Sequence, residues 1–308
     1  MMPTPGVIDP IRQFNRFYTR RLGLLDRRFL ASPFSLTEVR VLFELAQVER
    51  LTATVLGATL GLDAGYLSRI LARFARERLV TRQRSSRDGR CWPVLLTTGG
   101  RRVFQRLNQR STDAVARLIH HLSAADRTRL AELLAGVRLL LTPPGEPRPA
   151  ATLRSLRAGD LGWVVGRHGV LYATEYGWDL SFEALVARIV ADYAEAANPR
   201  HHAAWIAEID GFPVGCVFLV RESPAVARLR LLLVEPSARG QGIGRRLVAT
   251  VIDCARNAGY HKLVLWTNSV LTAARHLYEE TGFRLVREEA HRHFGKELLG
   301  QDWSLDLR

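Results

Sequence analysis

The stretch Arg239-Gly240-Gln241-Gly242-Ile243-Gly244 has the residue types that hold an anion. It follows an apolar run, Leu229 to Val234, and opens a helical pattern, Arg245 to Ala258. Strand, glycine-rich turn and helix start in that order gather backbone N–H groups at the positive end of a helix, where a phosphate binds. Glycine lets the backbone approach such an anion closely. Asn268 and the run Leu277-Tyr278-Glu279-Glu280-Thr281-Gly282-Phe283 follow further along. Arginine carries a second chemistry. Arg69, Arg73, Arg84, Arg87 and Arg90 lie close together in the first half, and a planar guanidinium makes paired hydrogen bonds to phosphates and base edges.

These residues sit in a chain of 308 residues, long enough for two domains. A hydrophobic fraction of 47% supports packed cores. No apolar run reaches the roughly 18 residues that span a bilayer, and the N-terminus lacks a charged-then-apolar signal pattern, so a cytoplasmic protein is expected. Cys91, Cys216 and Cys254 are widely spaced. They form neither a metal site nor a disulfide framework. Cys91 has no resolving cysteine near it in sequence and reads as an incidental thiol. The charge is uneven. Residues 1–142 hold 24 Arg and no Lys against 11 acidic residues, whereas residues 143–308 hold 20 basic against 19 acidic. An excess confined to one half points to nucleic acid binding by that half.

Four prolines between Thr142 and Pro149 mark the clearest boundary, because they cannot continue a helix and favour an extended spacer. The expected organisation is an N-terminal domain at 1–142, a linker at 143–150 and a C-terminal domain at 151–308. Before the linker the pattern is mainly helical. Helices are expected over Ile8–Leu30, from the Ser35-to-Glu38 capping box to Gln47, and over Thr52–Leu60, Asp63–Glu77, Thr98–Leu122 and Ala124–Leu141. Two strands, Val80–Arg84 and Trp92–Leu96, flank Asp88-Gly89, a hairpin signal. After the linker helices and strands mix. Strands are expected at Leu153–Arg157, Ala203–Ile209, Val214–Arg221, Ala227–Val234 and Lys262–Thr267, followed by two terminal strands. Helices are expected at Ser181–Ala197, from Arg245 and at Leu271–Thr281, which calls for helices packed on a sheet.

Two helices joined at Gly61-Leu62-Asp63 and followed by a basic hairpin make a winged helix-turn-helix whose second helix enters the major groove. On that helix Tyr66, Ser68, Arg69 and Arg73 are candidates to face DNA, while Leu67, Ile70, Leu71 and Phe74 fit the buried face. Arg82, Arg84, Arg87 and Arg90 lie on the wing. The run Leu60-Gly61-Leu62-Asp63, Tyr66-Leu67-Ser68-Arg69, Leu79-Val80-Thr81-Arg82, Ser86-Arg87-Asp88-Gly89-Arg90, Leu96-Thr97 and Gly100-Arg101 resembles the multiple-antibiotic-resistance-regulator (MarR) family over about residues 8–141. The resemblance implies homodimers built from the terminal helices that bind double-stranded, pseudo-palindromic operator DNA. Arg90 would touch the minor groove and Asp88 would orient it. Trp92-Pro93 departs from the pattern, since a proline at the start of the return strand removes a ladder donor and shortens the wing.

The C-terminal combination, Val234-Glu235-Pro236, the Arg239–Gly244 turn, Asn268 and Leu277–Phe283, resembles the GNAT superfamily of N-acetyltransferases. The likeness implies an α/β fold with a mixed, mostly antiparallel sheet and use of acetyl-CoA, with Arg239, Gly240, Gln241, Gly242, Ile243 and Gly244 holding its pyrophosphate. It further implies that backbone N–H groups near Leu233 and Val234 polarise the thioester carbonyl, that Asn268 contacts the cofactor, and that Tyr278 is the general acid. A phenol of ordinary pKa near about 10 can protonate a departing thiolate. Many relatives use a glutamate on the fourth strand as base, and Arg228–Val234 has no carboxylate. Glu175, Glu208, Glu222, His201 and His202 stay open as bases, directly or through water, and a member of this family can also act without a dedicated base on an amine that arrives neutral. Residues 166–178 read as a loop with three aromatics in seven residues. By the resemblance it is the acceptor-binding element, with Tyr172, Glu175, Tyr176 and Trp178 lining the amine site.

A regulator fused to an acetyltransferase of a primary amine, small molecule or protein, is the reading that uses both halves. The alternatives are a regulator whose C-terminal half only senses acyl-CoA or a ligand, and an enzyme whose N-terminal half only dimerises.

Overall fold

The computed structural model describes residues 5–24, 29–48, 50–83, 92–143, 145–195 and 202–307. The chain divides into two compact units, 1–124 and 125–308.

In the first unit α1 (Pro5–Arg21) precedes α2 (Leu36–Gln47), α3 (Ala53–Leu60) and α4 (Ala64–Arg76). The Ser35 capping box forms as read, with Glu38 N donating to Ser35 Oγ and Ser35 N to Glu38 Oε2. Gly61 ends α3 in the left-handed conformation and Asp63 caps α4. The α4 residues expected inside, Leu67, Ile70, Leu71 and Phe74, are all buried. They pack with Val41, Leu42 and Leu45 of α2. β1 (Val80–Arg82) and β2 (Val94–Leu96) pair antiparallel, and Leu51 bridges to Val94 as a third edge. Both strands are shorter than read, and β2 starts just after Pro93, whose missing N–H cannot join the ladder. α5 (Thr98–Ile119) starts against this sheet. A Cβ at Gly100 would lie 2.0 Å from the Leu79 carbonyl oxygen, so only glycine fits there.

The unit boundary falls earlier than the proline-rich segment. α6 (Ala124–Leu141) packs in the second unit, where Leu139 joins the main core. Its Gly136 leaves room for the Phe212 ring, and Arg138 pairs with Asp210. Arg148, in the spacer, donates to the Ser237 carbonyl. Prolines stop a helix, but they do not say on which side of the break that helix packs.

The second unit is a seven-stranded sheet of β3 (Thr152–Ser155), β4 (Ala203–Ile209), β5 (Phe212–Arg221), β6 (Val226–Val234), β7 (Lys262–Asn268), β8 (Arg284–His293) and β9 (Lys296–Asp306). Their order is β3-β4-β5-β6-β7-β9-β8, antiparallel except for β6–β7. α7 (Asp160–Tyr176) and α8 (Leu180–Glu195) cover one face. α9 (Ile243–Asn257) and α10 (Thr272–Glu280) pack on the other. β5 is buried on both faces. Cys216 and Phe218 meet the α7 and α8 layer, and Val217 and Leu219 meet the α9 layer. Residues 166–178 are therefore not the loop that was read. All but the last two belong to α7. The glycines and aromatics suggested a break, but Val164, His168 and Leu171 are a buried helical stripe. Beside Gly169 the Glu183 carboxylate of α8 occupies the space a Cβ would take.

Candidate functional site

β6 makes the site by failing to pair. Its ladder with β7 runs only from Val226↔Lys262 to Arg228↔Val264. Beyond that point, among the described residues, Leu229 to Val234 has no strand partner on the β7 side, and Leu232, Leu233 and Val234 line a cleft. A bulge produces the divergence. Leu231 and Leu232 together oppose Val217 alone on β5, and Leu231 has φ of 54°. A bulge of this kind bends its strand and strengthens the local twist. Cys216 Sγ–H donates to the Leu231 carbonyl at 3.1 Å, giving that displaced oxygen a partner. Burial holds the Cys216 thiol protonated.

The outer arm of the resulting cleft encloses about 590 Å³, with Leu233, Val234, Arg239, Gly240, Gly242 and Gly244 in its wall. Gly240 and Gly242 have φ of 77° and 72°. No atom lies within 4 Å of where a Cβ on either would sit. Gly242 caps α9 with no side-chain hydrogen bond, so the N–H groups of the first turn are left for a ligand. Arg239 crosses the turn. Its Nε donates to the Val234 carbonyl at 3.2 Å, and its Nη2 reaches Glu175 Oε1 at 2.8 Å. Gly244 lets α9 approach α10, where a Cβ would meet Leu277 at 3.2 Å. The Gln241 side chain turns away from the cleft into a separate hollow beside Gly145 and Arg148, so only its backbone faces the turn.

The inner arm is smaller, about 100 Å³, and shares Tyr172, Leu232, Leu271 and Ala274 with the outer one. Tyr278 of α10 faces it and is 5% exposed, and burial raises its phenol above the ordinary range. Burial raises the Tyr172 phenol as well, with a smaller contribution from the nearby Tyr278. The rings of Tyr172, Trp178 and Phe182 form a wall, with centroids 4.5 Å apart for Tyr172–Phe182 and 4.6 Å for Trp178–Phe182.

His168 is the residue that sequence reading missed. It is buried, and its Nδ1 lies 2.8 Å from the Val164 carbonyl one turn back. A carbonyl only accepts, so Nδ1 carries the hydrogen and Nε2 has a bare lone pair. Nε2 is buried with no hydrogen-bond partner, and the residue lines the inner arm. Burial drives its pKa down to about 4 against the smaller effect of the Val164 bond, so the ring is neutral near pH 7. The spacing 164, 168, 171 was the signal that would have placed it on the inner face of a helix.

The structure separates the residues expected to line the amine site. Tyr172 and Trp178 reach the inner arm, whereas Glu175 and Tyr176 reach only the outer one. Asn268, expected at the cofactor, lines the inner arm, where its Oδ1 accepts from His291 Nε2 at 2.8 Å. Of the residues considered as bases, Glu208 is held by Arg154 at 2.6 Å and Glu222 by Arg228 at 2.5 Å. Glu175 is engaged by Arg239. His202 packs edge-on against Tyr193, and His201 lies outside the described residues.

In the first unit Tyr66, Ser68 and Arg69 of α4 are exposed, with the Arg69 guanidinium over the Tyr66 ring. Arg73, expected with them, turns back. Nη1 reaches Glu38 Oε1 at 2.6 Å, Nε reaches Glu77 at 2.8 Å, and the guanidinium lies over Phe34. It ties α4 to α2. Arg84, Arg87, Asp88, Arg90 and Cys91 lie outside the described residues. Among the described residues no cluster of His, Cys, Asp or Glu could hold a metal ion, and no helix is long and apolar enough to cross a membrane.

Two family models match the chain. One is the acetyltransferase (GNAT) family over residues 171–283, and the other is the MarR family over residues 32–90. An uncharacterised N-acetyltransferase of Schizosaccharomyces pombe is 30% identical over 122 residues, which are 39% of this chain and 74% of that protein. The N-acetylaspartate synthetase of Danio rerio is 36% identical over 111 residues, 36% of this chain and 38% of that protein. The chain spans 37–58% of the length of three further vertebrate N-acetyltransferases that it matches. Among solved structures, the spermidine N-acetyltransferase of Vibrio cholerae, in complex with CoA and spermine, aligns with a TM-score of 0.42 and 20% identity, covering 51% of this chain and 95% of that one.

Proposed function

The C-terminal half of this chain belongs to the GNAT acetyltransferase family, and from that premise we propose that the protein transfers the acetyl group of acetyl-CoA to a primary amine, while its N-terminal unit, which carries a MarR-family domain, binds operator DNA. One observation carries the enzymatic reading. The uncapped glycine turn and the bare edge of β6 open on one cleft that ends at Tyr278.

The residues present fit acetyl-CoA. The N–H groups from Gly240 to Gly244 suit a diphosphate, with open space where side chains would sit. Bound there, acetyl-CoA supplies an acetyl thioester. N–H groups near Leu233 and Val234 receive the negative charge that develops on its carbonyl oxygen. His168 Nε2 takes a proton from the amine as the nitrogen bonds to the acyl carbon. The carbon–sulfur bond breaks with its electron pair going to sulfur. Tyr278 Oη then gives its proton to that sulfur, and both residues recover their starting states by exchange with water. Asn268 orients His291 at the end of the arm.

The N-terminal reading rests on charge and exposure. The excess of 24 Arg over 11 acidic residues lies in residues 1–142, and Ser68 and Arg69 face outward on the second helix of the helix-turn-helix. A homodimer is supported by apolar residues left exposed on α1, Ile11, Phe14 and Phe17, and on α6, Leu133, Leu140 and Leu141. We place the protein in the cytoplasm, in keeping with its cysteine usage.

The test is release of thiol from acetyl-CoA by the purified protein against amino acids, polyamines, aminoglycosides and peptides. Turnover on one class establishes the enzyme. Tight binding of acetyl-CoA with no turnover on any class would make the C-terminal half a sensor instead.

A further inference from the structure

The inner arm is lined by a buried nitrogen with no hydrogen-bond partner and by a guanidinium with no ion pair among the described residues. One is His168 Nε2. The other is the guanidinium of Arg230, half-buried on β6 immediately before the bulge. Its neighbour Arg228 has an ion pair, with Glu222. Among the described residues Arg230 has none. Glu222 and Asp192 act on it only from a distance, and burial together with the Arg228 charge depresses its pKa. Partial burial strips some of the hydration from this cation, and an anion brought to it recovers part of that cost. The rings of Tyr172, Trp178 and Phe182 line the same space, which is about 100 Å³.

We infer, on the acetyl-transfer reading above, that the amine accepted here is a small free amino acid, its carboxylate held by Arg230 and its amino group directed at His168 Nε2. A planar guanidinium takes a carboxylate through two parallel N–H donors. An imidazole whose other nitrogen is already committed to Val164 can only accept from the substrate, which suits an amine. Together they specify a molecule with an anion at one end and an N–H donor at the other. The same pair excludes other amines. A polyamine or aminoglycoside would bring positive charge against Arg230. A peptide N-terminus has an amide where the carboxylate should be. The aromatic wall leaves the side chain room that is apolar and narrow.

The full-length protein tests the inference by comparing kcat/KM for an amino acid, its carboxamide and the amine left after removal of its carboxylate. Equilibrium binding of the amino acid is measured in parallel by calorimetry with desulfo-CoA present. The carboxylate is expected to raise kcat/KM by about 100-fold over both analogues, the worth of hydrogen bonds to a charged group. Arg230→Gln erases that preference and the binding heat, and Arg230→Lys restores part of both. Turnover in which carboxylate-free amines match or exceed amino acids, or a preference that survives in Arg230→Gln, overturns the inference and leaves the acetyltransferase standing. Arg230-dependent binding without turnover on any amine keeps the site and removes the enzyme. Absence of both binding and turnover for every amino acid overturns the inference outright.

Discussion

Arg239 Nη2 lies 2.8 and 3.1 Å from the two carboxylate oxygens of Glu175, and so joins the glycine turn before α9 to the last turn of α7. A second pair, Arg167 with Glu235 at 2.6 Å, joins α7 to the residue after β6. The helix that carries His168 and Tyr172 is thus held to the glycine turn before α9 and to the end of β6. The Arg239 side chain is half exposed, so that pair is worth no more than about 1 kcal/mol. Its effect is to set the width of the outer arm.

The turn itself has no tolerance for a side chain with charge. In Gly242→Asp a carboxylate and a Cβ enter at φ 72°, where a Cβ costs about 1–2 kcal/mol, and like charge opposes the diphosphate. Calorimetry is expected to show loss of acetyl-CoA binding with the fold retained by circular dichroism. Unchanged affinity would mean that the cofactor binds elsewhere.

Tyr278 is held protonated by burial, which suits a proton donor. Tyr278→Phe keeps the ring between Phe283 and Trp303 and removes only the hydroxyl. Turnover should fall about 100-fold, with the dissociation constant of acetyl-CoA within a factor of about two. A variant as active as the parent would take Tyr278 out of the chemistry.

His168 gives the C-terminal unit a stability that depends on pH. Its pKa is about 4 in the folded chain, against about 6.5 when exposed. Between those values the unfolded chain binds the extra proton, so stability falls as pH falls through the window and is unaffected above it. The loss amounts to roughly 3 kcal/mol by pH 4. Urea unfolding at several pH values, followed by tryptophan fluorescence, should show this slope in the parent and a flatter one in His168→Gln. Equal slopes would assign the dependence to other groups.

DNA binding by the N-terminal unit should be electrostatic and local to α4 and the wing. Arg69→Ala together with Arg90→Ala is expected to abolish specific binding, and log affinity should fall linearly with log salt. Binding that ignores both changes would leave dimerisation as the role of that unit. Arg73→Ala should act differently. It breaks the contacts to Glu38 and Glu77 and lowers stability, which a melting curve separates from loss of affinity.

Strong local signals made most of the fold legible. The capping box at Ser35 and the turn at Asp210-Gly211, where both residues have positive φ, are fixed by a few neighbouring side chains. The glycine turn at Gly240 and Gly242, where both residues have positive φ, was legible for the same reason. Long-range packing decided what was misread. Whether α6 belongs to the unit before or after it depends on Phe212 and Leu139 meeting their partners, which no local pattern encodes. Arg73 looked like Arg69 until Glu38 claimed it. His168 was hidden because Gly166 and Gly169 look like loop residues, and only the packing of α8 beside Gly169 explains why a glycine is there.

The bulge at Leu231 has a simple arithmetic. Arg230 lines the inner arm and Leu231 packs on the α7 and α8 layer, while Leu229 and Leu232 point the other way. Remove Leu231 alone and every remaining neighbour keeps its face. The shortened strand would pair evenly with β5 and lie flat enough to continue its ladder along β7. It would be a more regular sheet. The opening of the cleft thus goes with a single extra residue in one strand.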